Sequence, residues 1–168
     1  MISSYLHRVF DPAKLAKTVE QAANSLWAWE KEFPFDAIAF TGVSGAALAF
    51  PLSVRIGKPL ICVRKNEIPA HSTQDIEGDS SINSYIIVDD CVDTGATVKT
   101  IIRDIKKSWD FSHAELKGVY LYDVDSLWCE MDFYNDIMLI PKDGGIKENP
   151  RKFQKTSGGL SWEWGSCR

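Results

Sequence analysis

Asp89 and Asp90 stand side by side at the end of the apolar run Tyr85-Ile-Ile-Val88, and a short turn carrying Thr94, Gly95 and Thr97 follows them. Two adjacent carboxylates suit a polyol or a hard cation. Hydroxyls and backbone N–H groups at the start of a helix suit a phosphate. Acids for a polyol beside a cradle for a phosphate point to a sugar phosphate. Leaving two like charges idle beside a buried run would be costly, so a plain solvated turn accounts poorly for them.

The elements around these residues agree with that reading. Isoleucines and Val88 before the acids predict a buried strand, and acids at its carboxyl end lie where open parallel sheets take ligands. A helix is expected from about Gly95 to Ser108, then a strand from about Leu116 to Tyr122. Upstream, Asp11-Pro12 is a helix start, with an Asp cap and proline at the first helical position. Leu15, Val19, Ala22 and Leu26 continue that helix to about Lys31, where Phe33-Pro34 breaks it. Asp36 to Thr41 reads as the first core strand, Gly42 to Gly45 as a tight loop, and Ala46 to Ile56 as a helix kinked at Pro51. Pro59 to Val63 reads as the second strand. Arg64 to Ser84 is a polar stretch long enough to be a lid. Asp136 to Ile140 is a candidate last strand.

Strands alternating with helices predict an α/β fold with a mainly parallel sheet flanked by helices in three layers. The 168 residues suffice for a single domain spanning 1–168, with a core at about 33–123, an N-terminal helix at 11–32 and a tail at 124–168. A net charge of -4 argues against a general nucleic-acid binder. No long apolar run and no signal pattern occur, so neither a membrane partner nor export is expected, and a cytoplasmic location is. Cys62, Cys91, Cys129 and Cys167 lack the spacing of a zinc site or a disulfide framework.

Paired acids at strand ends also occur in P-loop ATPases and receiver domains. The first need a Gly-x-x-x-x-Gly-Lys-Ser/Thr string, which this chain lacks. The second carry their acids after the first strand, whereas here the pair follows about the third. The whole stretch Tyr85-Ile-Ile-Val-Asp-Asp-Cys-Val-Asp-Thr-Gly-Ala-Thr97 instead resembles the signature of the type I phosphoribosyltransferases for 5-phosphoribosyl 1-diphosphate (PRPP). The resemblance implies their fold, with a small variable hood, and a transfer of 5-phosphoribose from PRPP to a nitrogenous base with release of pyrophosphate.

Carried over residue by residue, the resemblance has Asp89 and Asp90 holding the ribose hydroxyls directly or through Mg²⁺, the implied cofactor. Asp93, Thr94, Gly95, Ala96 and Thr97 then bind the 5-phosphate, although Thr94 and Thr97 would also serve as ordinary helix caps. Asp93 is expected to take or share a proton of the base, or to steady a cationic ribose; its alternative is to accept from loop amides. Thr41, Gly42, Val43 and Ser44 correspond to the pyrophosphate loop. That loop has no basic residue, so Arg64 and Lys65 are expected to supply the charge. Lys65 and His71 in the lid are the further catalytic candidates, with a solvated loop as the alternative for both.

The family's base-reading lysine is replaced here by the stretch Tyr122-Asp-Val-Asp125. Trp128, Phe133, Tyr134, Trp162 and Trp164 would stack on a flat base or belong to the core. A purine is the favoured acceptor, and a homodimer is implied by the resemblance alone. A PRPP-binding regulator without turnover, or a transferase to an acceptor that is not a nucleobase, remain the alternatives.

Overall fold

Asp11 accepts hydrogen bonds from the N–H groups of Ala13 and Lys14, which starts the long helix where the Asp-Pro pair predicts it. The computed structural model describes residues 6–65, 74–90, 95–123, 138–142, 155–156 and 159–160. The elements in chain order are α1 (His7–Phe10), α2 (Pro12–Glu30), β1 (Ala37–Phe40), α3 (Gly42–Ile56), β2 (Leu60–Val63), β3 (Ile76–Glu77), β4 (Ser84–Asp89), α4 (Ala96–Lys107) and β5 (Glu115–Leu121). A two-residue pair, β6 (Lys155–Thr156) with β7 (Gly159–Leu160), lies in the tail.

The main sheet has the order β3-β2-β1-β4-β5. β1 pairs in parallel with both β2 and β4, and β4 in parallel with β5. Period-two alternation sorts the strand side chains onto two faces. Ile38, Phe40, Ile86, Val88, Tyr120 and Tyr122 meet α1, α2 and α3 on one side. Ala37, Ala39, Ile61, Val63, Ile87, Val119 and Leu121 meet Val98, Ile101 and Ile105 of α4 on the other. The sheet is therefore buried on both faces, as a parallel sheet requires, and the three-layer α/β expectation holds.

Three boundaries differ from the sequence reading. Gly42 to Gly45 are the first turn of α3 and not a loop ahead of it. The long polar stretch after Val63 returns as β3, antiparallel to β2 in the register Cys62↔Glu77 and Val63↔Ile76. Of the strand expected at 136–140, residues 136–137 lie outside the described residues, and the described part forms an isolated parallel bridge between Leu139 and Val119. No helix among the described residues is long and apolar enough to cross a membrane.

Candidate functional site

Parallel pairing brings the carboxyl ends of β1, β2, β4 and β5 to one edge of the sheet, and the residues singled out in the sequence gather there. Asp89 ends β4 and Asp90 follows it; both are buried, at 3% and 6% exposure. Asp89 Oδ1 accepts from the Ser44 hydroxyl at 3.0 Å and from the Asp90 N–H at 3.0 Å. Burial foremost, then the neighbouring Asp90 carboxylate, pushes the Asp89 carboxyl up to about 7 from an ordinary 3.8. The two hydrogen bonds oppose that rise without cancelling it.

Thr41 caps the amino end of α3 by position but not by its side chain. Its buried hydroxyl donates to the Val63 carbonyl and so ties the end of β1 to the end of β2. The contrast with α2, whose Asp11 occupies two amides, leaves the first turn of α3 without a side-chain cap from Thr41. A helix N-terminus of this kind suits an anion. Gly42 opens the turn at φ +64°, where a side chain would be strained. Val43 beside it is exposed.

Arg64 and Lys65, adjacent in sequence, do different things. The Arg64 guanidinium pairs with Glu77 of β3, with Nε at 3.0 Å and Nη2 at 2.6 Å from Oε1, and its N–H donates to the Asp75 carbonyl. Lys65 turns back over α3: a Cβ placed on Gly42 would meet its Cε at 3.3 Å and its Nζ at 3.4 Å. The cation missing from the Thr41–Ser44 segment is thus delivered by Lys65, while Arg64 anchors the return strand.

Gly95 stands at the N-cap of α4 in the left-handed region, φ +70°, and α4 begins with Ala96 and Thr97. Their helix aims its N-terminus at the same edge as the acids. Asp93 and Thr94, like His71, Trp128, Phe133, Tyr134, Trp162 and Trp164, lie outside the described residues.

Two contributors escaped the sequence reading. Tyr122, buried just past β5, donates its hydroxyl to the Ser44 carbonyl at 3.0 Å and its N–H to the Asp89 carbonyl. Asp123 continues the edge, its N–H donating to the Asp90 carbonyl at 2.7 Å. The sequence reading had Tyr122 as the end of a strand and both residues as a departure from a pattern, but not these contacts, because their role depends on β5 lying beside β4.

Among the described residues no cluster of three or more His, Cys, Asp or Glu forms a protein-only metal cage. The donor set nonetheless fits Mg²⁺, which binds through one or two carboxylates together with substrate phosphates and retained water. Asp89 and Asp90 present two carboxylates side by side at the sheet edge, and burial with the neighbouring Asp90 carboxylate is what raises the affinity of Asp89 for a proton.

No known family's sequence profile matches the chain. It is 28% identical over 106 residues to the orotate phosphoribosyltransferase of Archaeoglobus fulgidus, and the match covers 60% of each protein. The chain thus spans about three-fifths of the length of that curated relative. Its fold is similar to that of the adenine phosphoribosyltransferase of Saccharomyces cerevisiae, with a TM-score of 0.52 at 21% identity over 70% of this chain and 72% of that one. The orotate phosphoribosyltransferase of Aeropyrum pernix gives 0.51 at 18% identity over 68% and 61%. The adenine phosphoribosyltransferase of Thermoanaerobacter pseudethanolicus gives 0.50 at 21% over 68% and 70%. The resemblance to the type I phosphoribosyltransferases therefore holds in sequence and in fold.

Proposed function

We propose that the chain is a phosphoribosyltransferase that moves 5-phosphoribose from PRPP to a nitrogenous base, with release of pyrophosphate. The observation that carries this reading is Lys65 folded over the uncapped start of α3, next to a Ser44 bonded to the ribose-type acid Asp89. Cation, open helix N-terminus and buried acids occupy one sheet edge, in the order that diphosphate and ribose occupy along PRPP. The relatives' names support the same transfer.

In this reading the first-turn amides of α3, at Gly42, Val43 and Ser44, and the Lys65 ammonium bind the diphosphate. Asp89 and Asp90 hold the ribose hydroxyls, and the start of α4 at Gly95, Ala96 and Thr97 takes the 5-phosphate, with Asp93 and Thr94 completing that turn. A ring nitrogen of the base forms the new bond to ribose C1 as Asp93 takes or shares the proton that the base gives up. The C1–O bond breaks, and its electron pair leaves with the diphosphate, whose growing charge Lys65 and the α3 dipole offset. Asp89 and Asp90 would hold Mg²⁺, which when bound would supply further charge neutralisation for the leaving group. Arg64, released from Glu77, and His71 are the additional basic groups available to the lid. A purine acceptor, a homodimer and a cytoplasmic location complete the proposal and follow from the family resemblance and the chain's composition.

The test is pyrophosphate release from PRPP and Mg²⁺ with a panel of purines, pyrimidines and simple amines, beside an Asp89→Asn/Asp90→Asn control. Release stimulated by one base and abolished in the control is expected. PRPP binding without stimulated release would replace the transferase by a regulator, and absence of PRPP binding would defeat both.

A further inference from the structure

A hydroxyl buried in a core is costly unless it is bonded, so a tyrosine serves a buried position better than a phenylalanine only where its hydroxyl has work. Tyr122 is 1% exposed and packs into the core on the side of α1, α2 and α3. Its hydroxyl donates to the Ser44 carbonyl at 3.0 Å. That carbonyl lies inside α3, where the amide four residues on is its regular donor. The helix is complete without the tyrosine, so the bond does something other than satisfy backbone.

Three hydrogen bonds close a triangle at the sheet edge. The Ser44 hydroxyl donates to Asp89 Oδ1 at 3.0 Å, the Tyr122 N–H donates to the Asp89 carbonyl at 3.1 Å, and the Tyr122 hydroxyl returns to Ser44. Ser44 belongs to the turn proposed for the diphosphate, and Asp89 to the pair proposed for the ribose. The two residues are 45 positions apart in the chain and sit on different elements, α3 and β4. The triangle joins them directly, and Tyr122 closes it from the end of a third element, β5.

We propose that Tyr122 and Ser44 are positioning residues, forming a strut that fixes the first turn of α3 against Asp89 and so sets the separation between the diphosphate and ribose subsites. The bond broken in the transfer joins ribose C1 to a diphosphate oxygen, and it spans those two subsites. With the strut cut, each half of the substrate still finds its own partners. The bond between the halves then loses its alignment with the incoming nitrogen, and a misplacement of about 1 Å costs about a hundredfold in rate. This inference rests on the transferase reading and adds to it residues that act through the placement of other groups.

The experiment uses Tyr122→Phe, which keeps the ring and loses the hydroxyl, and Ser44→Ala, which keeps the backbone amide and loses the bond to Asp89. Calorimetry with Mg²⁺ present gives the affinities of pyrophosphate, ribose 5-phosphate and PRPP for each variant and the wild type. Thermal melts and kcat with the base that supports turnover are recorded beside them. Both variants are expected to bind pyrophosphate and ribose 5-phosphate as the wild type does. PRPP, which needs both subsites at one separation, should bind about tenfold more weakly, and kcat should fall by about tenfold to a hundredfold. A folded variant that retains wild-type PRPP affinity or kcat overturns the strut and leaves the transferase reading standing. A parallel fall in all three affinities also overturns it, because that is the mark of a loosened fold. A wild type that binds PRPP without turnover defeats the transferase reading, and the three affinities then decide the strut. Failure of the wild type to bind PRPP overturns both. Should Tyr122→Phe melt below the assay temperature, Ser44→Ala decides by the same criteria.

Discussion

A carboxylate that the fold would rather keep protonated is a local cost retained at a functional edge. With its pKa raised to about 7 from 3.8, the stabilising contribution of Asp89 is fully present below pH 3.8 and is lost as the pH rises through about 7. Asparagine keeps an oxygen to accept from Ser44 and Asp90 and carries no charge. Asp89→Asn is therefore expected to melt higher than the wild type at pH 8 in metal-free buffer, by on the order of 1–2 kcal/mol of stability. The gap should close towards pH 4, and thermal melts across that range check it. The acid pair and its turn were legible as chemistry because adjacent like charges after a buried run are costly unless a cation or a polyol meets them. The division between Arg64 and Lys65 was not, since the Glu77 that claims one of them returns to the site only through the pairing of β3 with β2. The Ser44–Asp89 bond was equally hidden, because it depends on β1 and β4 being neighbours.

The start of α3 shows how an element can be recognised while its boundary is misplaced. The string Gly-Val-Ser-Gly carries turn residues, yet each glycine serves the helix. Gly42 supplies the left-handed entry, and Gly45 lets the helix approach the sheet. A Cβ on Gly45 would stand 3.1 Å from the Phe40 Cβ and 3.2 Å from the Val88 carbonyl, neighbours that cannot swing aside. Gly45→Ala should thus push the first turn of α3 off β1 and β4, costing about 1–3 kcal/mol by denaturant melts. It should weaken PRPP binding as well, since the displaced amides are those assigned to the diphosphate. The other long helices were readable: α2 from its Asp-Pro start and apolar spacing, and α4 as the run expected from about Gly95 to Ser108, in which the structure buries Val98, Ile101 and Ile105.

Alternation of strands and helices was sufficient to foresee a mainly parallel sheet with helices on both faces. The antiparallel β3 was invisible, because two residues carry no periodicity. Binding should report on the molecule as a whole. A ligand that joins α3, β4 and α4 stabilises every element it bridges, by about 2.7 kcal/mol at a hundredfold excess over its Kd. PRPP with Mg²⁺ is expected to raise the melting temperature of the wild type measurably, whereas Asp90→Asn should show little of that rise.

Val63 and Ile76 face each other in register, so the chain that leaves the sheet after β2 comes back to where it left. The link between these two residues is thereby closed at its base. Its ends are pinned by the Arg64 and Asp75 backbone bond, and its length does not enter the geometry of the remaining strands. Doubling such an excursion adds only about 0.6 kcal/mol of closure entropy. Evolution, or an engineer, can therefore splice in covers of different length and chemistry at this port, while Lys65 remains over Gly42 and the rest of the edge stays in place.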